Sequence, residues 1–181
     1  MKRGAQAVDP EALSEGLDLG PRSRVPSGAF VTLKKHGDLR GCIGHIEPVE
    51  ALYRAVVDNA VSAALRDHRF QPVTEAELSG LEVEVSVLSP LSPIASCQDF
   101  VVGEQGIVLS RGNRRAVYLP EVATEQGWSR EETLAHLSRK AGLPADAWRE
   151  GASFRVFTSQ KYSAPYGTPL NHLGNPPPLA A

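Results

Sequence analysis

Two short stretches near the start of the chain alternate apolar and polar residues. These are Ala29-Phe30-Val31-Thr32-Leu33-Lys34-Lys35 and Leu39-Arg40-Gly41-Cys42-Ile43. Alternation with period two is the signature of a half-buried strand, so the pattern predicts a hairpin around His36-Gly37-Asp38. Loop length decides which side chains share a face. A two-residue turn would mix apolar and polar residues on both faces. A three-residue loop sorts them, with Val31, Leu33, Leu39 and Ile43 on one side and Thr32, Lys34, Arg40 and Cys42 on the other. Because burying one face specifies register strongly, the three-residue loop is the expectation.

The pattern then changes to helical spacing. Pro48 suits a first helical turn, where its missing N–H is not needed. Leu52, Val56, Ala60 and Ala63 give an apolar stripe up to about Arg66, and Asn59, near that stripe, suits a buried hydrogen bond to loop backbone or the orienting of a group near the hairpin. Thr74-x-x-Glu77 is a capping box for a short helix over 75–79. Leu81 to Leu88 is the clearest strand, and its Glu82 or Glu84 could face Lys34 or Arg40. Ser89-Pro90-Leu91-Ser92-Pro93 breaks the pattern and marks a lobe boundary. A second hairpin is expected around Gly112-Asn113, with Arg111, Arg114 and Arg115 at its tip. A capped helix follows, from Ser129-x-x-Glu132 through Leu134, Leu137 and Ala141 to Gly142, and then a last strand through Phe154 and Phe157. Residues 1–26 read as a flexible leading segment and 163–181 as a disordered proline-rich tail. The fold class is therefore α+β: an antiparallel sheet packed with helices, in a larger sheet-and-helix lobe and a smaller hairpin-containing lobe.

Composition narrows the function classes. The chain has 181 residues, 41% hydrophobic and 22% charged, with a net charge of −2. It is long enough for a substantial core, and its acidic balance argues against nucleic acid as a general partner. With no long apolar run and no signal-like leader, a cytoplasmic, non-membrane protein is expected. Cys42 and Cys97 do not make a disulfide framework. Cys42-x-x-His45 has a metal-like spacing, but a closed zinc site needs a second pair, so neither metal nor cofactor is expected. Phosphate-loop, dinucleotide-glycine and nucleophile-elbow motifs are absent.

The candidate chemistry gathers at Cys42. On the chosen register a thiol lies beside Thr32, Lys34 and Arg40, and nearby cations favour thiolate chemistry. Gly41 and Gly44 could admit a ligand, or could fit a bulge against a helix. Asp67 and Arg69 could pair with each other, and His68 could serve Cys42 as a base if the fold brought them together.

The run from Gly28 through Gly44, with Leu39-Arg40-Gly41-Cys42-Ile43-Gly44 at its centre, resembles the AMMECR-type domain family, labelled protein A of the AmmeMemoRadiSam system. Asp67-x-Arg69-Phe70-x-Pro72, Glu84 to Pro90, Tyr118-Leu119-Pro120-x-Val122 and Lys140-Ala141-Gly142-Leu143 match in family order. The resemblance places the domain at 27–162. It implies a two-part α+β fold and company with Memo-like and radical SAM proteins, without implying a reaction. Three functions follow as expectations. The first is an accessory module that binds a small ligand or those partners through Thr32, Lys34, Arg40, Gly41, Cys42, Gly44, Asp67 and Arg69. The second is a thiol enzyme with Cys42 as nucleophile, Arg40 stabilising charge and His68 as base. The third is a nucleic-acid-binding module using Lys34, Lys35, Arg40 and the arginine hairpin.

Overall fold

The computed structural model describes residues 8–15 and 19–168. The expectations for residues 1–7, 16–18 and 169–181 lie outside the described residues. In chain order the elements are α1 (Pro10–Ser14), β1 (Ala29–Lys35), β2 (Asp38–His45), α2 (Leu52–Leu65), β3 (Leu81–Leu88), β4 (Ser92–Ile94), β5 (Gly106–Arg111), β6 (Arg114–Tyr118), α3 (Pro120–Gln126), α4 (Arg130–Lys140), β7 (Ser153–Phe157) and β8 (Ser159–Pro165). The strands form two antiparallel-paired sheets, in the orders β2-β1-β3-β8 and β4-β7-β5-β6. The chain divides into two units, one from Met1–Leu88 with Gln160–Ala181 and one from Ser89–Ser159. The fold is α+β.

In the first unit, α2 packs on one face of the sheet. Val31, Leu33 and Ala63 form the buried cluster, with Ile43, Val56, Ala60, Val83 and Val85 partly buried against it. The buried stripe of α2 is Ala55, Asn59 and Ala63, one position away from the expected Leu52–Val56 start. Asn59 is buried and bonds to backbone, but to that of strand β1 and not of a loop, donating from Nδ2 to Ala29 O at 3.1 Å. The helix begins later than Pro48 because Ala51 is held extended. Ala51 bridges Pro26, and Leu52 N donates to Val25 O at 3.1 Å.

The hairpin corrects the expected loop. Its turn has two residues, His36 and Gly37, at φ 54° and 90°, the left-handed pair of a type I′ connection. Lys35 faces Asp38 and Lys34 faces Leu39, but Leu33 faces Gly41. Arg40 is thus the extra residue of a β-bulge, and a bulge re-aims side chains locally. Beyond it the register is the one a three-residue loop would have produced, with Thr32 opposite Cys42 and Val31 opposite Ile43. Leu39, expected in the core, is 44% exposed.

In the second unit, Phe100, Ile107, Leu109, Leu134, Leu137, Trp148, Phe154 and Val156 make the core. Ser129 and Glu132 cap α4 reciprocally. The hairpin at Gly112-Asn113 forms as its sequence predicts, with Arg111 opposite Arg114. α3 was not foreseen; it starts on Pro120 and ends at Gly127, which has φ 66°. Nor was β8 foreseen. It runs through Ser163 to Pro165, inside the segment expected to be a tail, because β3 supplies a strand edge for it to join.

Candidate functional site

β1 places Thr32 and Lys34 on the face turned away from α2, alternating with the buried Val31 and Leu33. Register puts Cys42, Thr32 and Glu84 in one row across β2, β1 and β3. Thr32 Oγ1 donates to Cys42 Sγ at 3.3 Å. Lys34 Nζ lies 3.0 Å from Glu84 Oε2 and Lys161 Nζ 3.4 Å from Glu84 Oε1. The row therefore reads thiol, hydroxyl, carboxylate, with an ammonium at each carboxylate oxygen. Burial pushes the Glu84 carboxyl upward, but hydrogen bonding from Lys34 and the charges of Lys161 and Lys34 outweigh it and hold it below its ordinary value.

Asp67 and Arg69 act on the backbone of Cys42. β2 is an edge strand, and the outward N–H and C=O groups of an edge need partners. Asp67 Oδ2 accepts from Cys42 N at 2.9 Å, and Arg69 Nη2 donates to Cys42 O at 3.1 Å. The two side chains are themselves joined by hydrogen bonds of 2.7 and 2.9 Å. Together they satisfy one residue of the edge as a neighbouring strand would. The Asp67 side chain is only 2% exposed. The Arg69 guanidinium, aided by the backbone N–H groups of Cys42 and Arg69, holds its carboxyl well below the usual carboxylate range despite burial.

Arg40 does not join Cys42 and Lys34. The bulge turns it to Glu77, which it grips through Nε at 2.9 Å and Nη2 at 3.2 Å. Lys35 Nζ reaches the same carboxylate at 3.3 Å. Glu77 also accepts from Thr74 N and Oγ1, both at 3.0 Å, as the capping box requires. Arg40 first, and then the Thr74 donors, hold the Glu77 carboxyl well below its ordinary value. Sequence reasoning had seen Glu77 only as a cap.

The glycines make room for the protein's own atoms. A Cβ on Gly41 would lie 2.2 Å from Ala63 O of α2, and one on Gly44 would lie 2.4 Å from both Ala29 O and the Phe30 ring. Gly41 thus serves the bulge against a helix. His68, between Asp67 and Arg69, is exposed, and the hydrogen bond at Cys42 Sγ comes from Thr32. Cys97 packs partly buried against the second unit's core. Arg111 donates to Ala147 O at 3.4 Å, and the Arg114 guanidinium lies over Gly142. Among the described residues no group of His, Cys, Asp and Glu is arranged to hold a metal ion, and no helix is long and apolar enough to cross a membrane.

Sequence reasoning missed Lys161, the second cation on Glu84. Its signal was faint: Lys161 and Ser163 alternate with Gln160, Tyr162 and Ala164, a period-two pattern with Tyr162 as its one large side chain and closed by Pro165.

These features define a class: a two-unit α+β protein whose first sheet carries an ordered polar row beside a bulged Arg-Gly-Cys edge strand. The chain belongs to the AMMECR1 family, whose model matches residues 3–162. A protein of Methanothermobacter thermautotrophicus is 47% identical over 149 residues, covering 79% of this chain and 77% of that protein. Protein Mbar_A1807 of Methanosarcina barkeri is 40% identical over 156 residues, covering 83% of this chain and 77% of its own length. The crystal structure of an uncharacterised protein from Pyrococcus horikoshii, PH0010, is similar with a TM-score of 0.76 at 35% identity, covering 87% of this chain and 86% of that one.

Proposed function

We propose that the protein is a binding module, an accessory component that acts with Memo-like and radical SAM proteins through the sheet face carrying Thr32, Lys34 and Cys42. The supporting observation is the ordered row itself. A thiol, a hydroxyl and a doubly paired carboxylate are lined up across three strands, and the Cys42 backbone is pinned by Asp67 and Arg69. Fixing polar groups before a partner arrives lowers the ordering cost of binding. The geometry favours binding over acid–base chemistry because the exposed His68 makes no bond to the thiol, whose hydrogen bond comes from a hydroxyl.

The test is direct association. The chain is immobilised, and the Memo-like and radical SAM proteins of the same organism are passed over it in reducing and oxidising buffer. Wild type is expected to bind, and Lys34→Glu and Cys42→Ser variants with unchanged circular dichroism are expected to bind more weakly. If wild type captures neither protein in either buffer, the reading fails.

The Thr32–Cys42 hydrogen bond supports a second reading, a thiol enzyme with Cys42 as nucleophile, because a donor to sulfur stabilises the thiolate. The guanidinium beside the thiol's backbone would then be that of Arg69. Rapid, stoichiometric alkylation of Cys42 in the folded protein supports it; a Cys42 inert until unfolding rules it out.

A further inference from the structure

The β5–β6 hairpin of the second unit ends on a like-charge pair. Arg111 and Arg114 are direct register partners across Gly112-Asn113, and like charges directly opposite each other destabilise a strand pair. Both lie on the core side of the sheet, continuing the buried pair Leu109 and Ala116 past the end of the core, whereas Arg115 belongs to the other face with Ser110. Neither charge is neutralised: among the described residues Arg111 and Arg114 make no ion pair. Backbone holds them instead. Arg111 Nη1 donates to Ala147 O at 3.4 Å, and its Nε lies 3.5 Å from where a Cβ on Gly151 would sit. Arg114 Nη1 lies 3.0 Å from where a Cβ on Gly142 would sit. Gly142 and Gly151 have φ 73° and 72°, so a loop that starts and ends on glycine leaves room for both guanidinium groups. The carboxylates of that loop, Asp146 and Glu150, are exposed and pair with neither arginine. Arg139 and Lys140 are exposed in the last turn of α4, which Gly142 closes by donating to Arg139 O at 2.9 Å. Cations therefore outnumber the loop's carboxylates at this end.

We propose that Arg111 and Arg114 form a two-guanidinium site for the dianion of a phosphate monoester. A guanidinium carries five N–H donors in a fork that matches phosphate oxygens, and the single bond from Arg111 to Ala147 O leaves most of them open. Two unneutralised cations call for about two negative charges, which a monoester phosphate supplies at neutral pH and a lone carboxylate does not. A dianion between the register partners replaces their repulsion with a shared attraction. Because backbone already positions both arginines, less side-chain freedom is lost when the ligand arrives. The phosphate belongs either to a small molecule or to a phosphorylated side chain of a protein partner. This site goes beyond the binding-module reading, since it uses no residue of the first unit.

The experiment is titration of the full-length protein, followed by calorimetry and arginine Nε–H NMR. The probes are inorganic phosphate, glucose 6-phosphate and a phosphoserine peptide, with the unphosphorylated peptide as control. Binding is expected to perturb Arg111 and Arg114 together. It should tighten between about pH 5 and pH 7.5, as the phosphate loses its second proton near about pH 6. Arg111→Met and Arg114→Met should each weaken it about tenfold, the scale of one charge-assisted hydrogen bond, and Lys34→Met in the first unit should leave it unchanged. Should Arg111→Met fail to fold, Arg111→Lys serves in its place, because it keeps the charge without the fork and is expected to weaken binding severalfold. Tighter binding of the phosphopeptide than of the two small probes assigns the phosphate to a protein side chain, and the reverse assigns it to a small molecule. Absence of binding to all three phosphate probes, equal binding of the unphosphorylated peptide, or binding unaffected by either arginine substitution overturns the proposal. Tighter binding of a single-stranded oligonucleotide without terminal phosphates overturns it too, because its diesters are not dianions. Capture of the Memo-like or radical SAM protein by wild type would then still uphold the binding-module reading, so the two fail separately.

Discussion

Asp67 Oδ2 accepts the backbone N–H of Cys42 at 2.9 Å across 25 positions of sequence. This bond and the one from Arg69 to Cys42 O give the edge strand β2 a side-chain substitute for a missing strand neighbour. The backbone of the site cysteine is therefore held by a loop ion pair in which Asp67 is buried and Arg69 is about half exposed.

That pair makes a pH prediction. The folded-state carboxyl of Asp67 binds a proton less readily than an unfolded aspartate does. Its contribution is therefore fully present above the unfolded value of about 3.9 and is lost as pH falls below it. We expect wild-type stability to drop between about pH 5 and pH 2. Asp67→Asn should have a shallower acid slope, with the remainder due to Glu77 and other carboxylates. Asp67→Ala should cost about 1–2 kcal/mol at neutral pH, because it leaves the Cys42 amide without its acceptor while the half-exposed Arg69 charge stays solvated. Both tryptophans, Trp128 and Trp148, lie in the second unit. Hydrogen exchange of the Cys42 amide is accordingly the proper readout, and unchanged protection in Asp67→Ala would refute the claim.

Gly41 should tolerate no side chain. With Ala63 O only 2.2 Å from where a Cβ would sit, either β2 or α2 must move. We expect Gly41→Ala to destabilise by about 2–3 kcal/mol, read as a lowered urea midpoint in circular dichroism. A neutral outcome would mean that α2 is not seated on β2 as described.

Glu77 joins the hairpin to the 3-10 turn at Glu75–Gly80 by accepting from Arg40, Lys35 and Thr74. Arg40 makes two of those bonds and Lys35 one. Arg40→Met should therefore lower the melting temperature more than Lys35→Met, and adding Glu77→Gln to Arg40→Met should have less effect than Glu77→Gln alone, since neighbours in one network are not additive. Equal effects of the two single cation substitutions would count against the bidentate geometry.

Thr32 should tune the thiol. In a Cys97→Ser background, Thr32→Val removes the donor to Cys42 Sγ and is expected to slow alkylation of Cys42 severalfold at neutral pH, because the thiolate is the reacting form. Thr32→Ser should alkylate like wild type. A Thr32→Val rate equal to or above wild type would show that the hydroxyl does not serve the sulfur.

What this chain declares in its sequence is local. Alternation marks β1, β2 and β3 because a strand's two faces meet different surroundings every second residue. Thr74 with Glu77, and Ser129 with Glu132, announce their caps because both partners sit within one turn. Gly112-Asn113 announces a hairpin because its backbone needs a positive φ. The expectation that Thr32 and Cys42 share a face is correct, although the route to it is a two-residue turn plus a bulge and not a longer loop. Tertiary structure decided where Arg40 points, since a single inserted residue reverses a side chain. The need of Gly41 to meet α2 and the carboxylate of Glu77 drew Arg40 away from Cys42 and Lys34. Lys161 was likewise invisible, because its partnership with Glu84 spans 77 positions and exists only once β8 finds the edge of β3. Pairings of that length leave no periodic trace in the chain, so the row of polar groups that defines the candidate site is a product of long-range register.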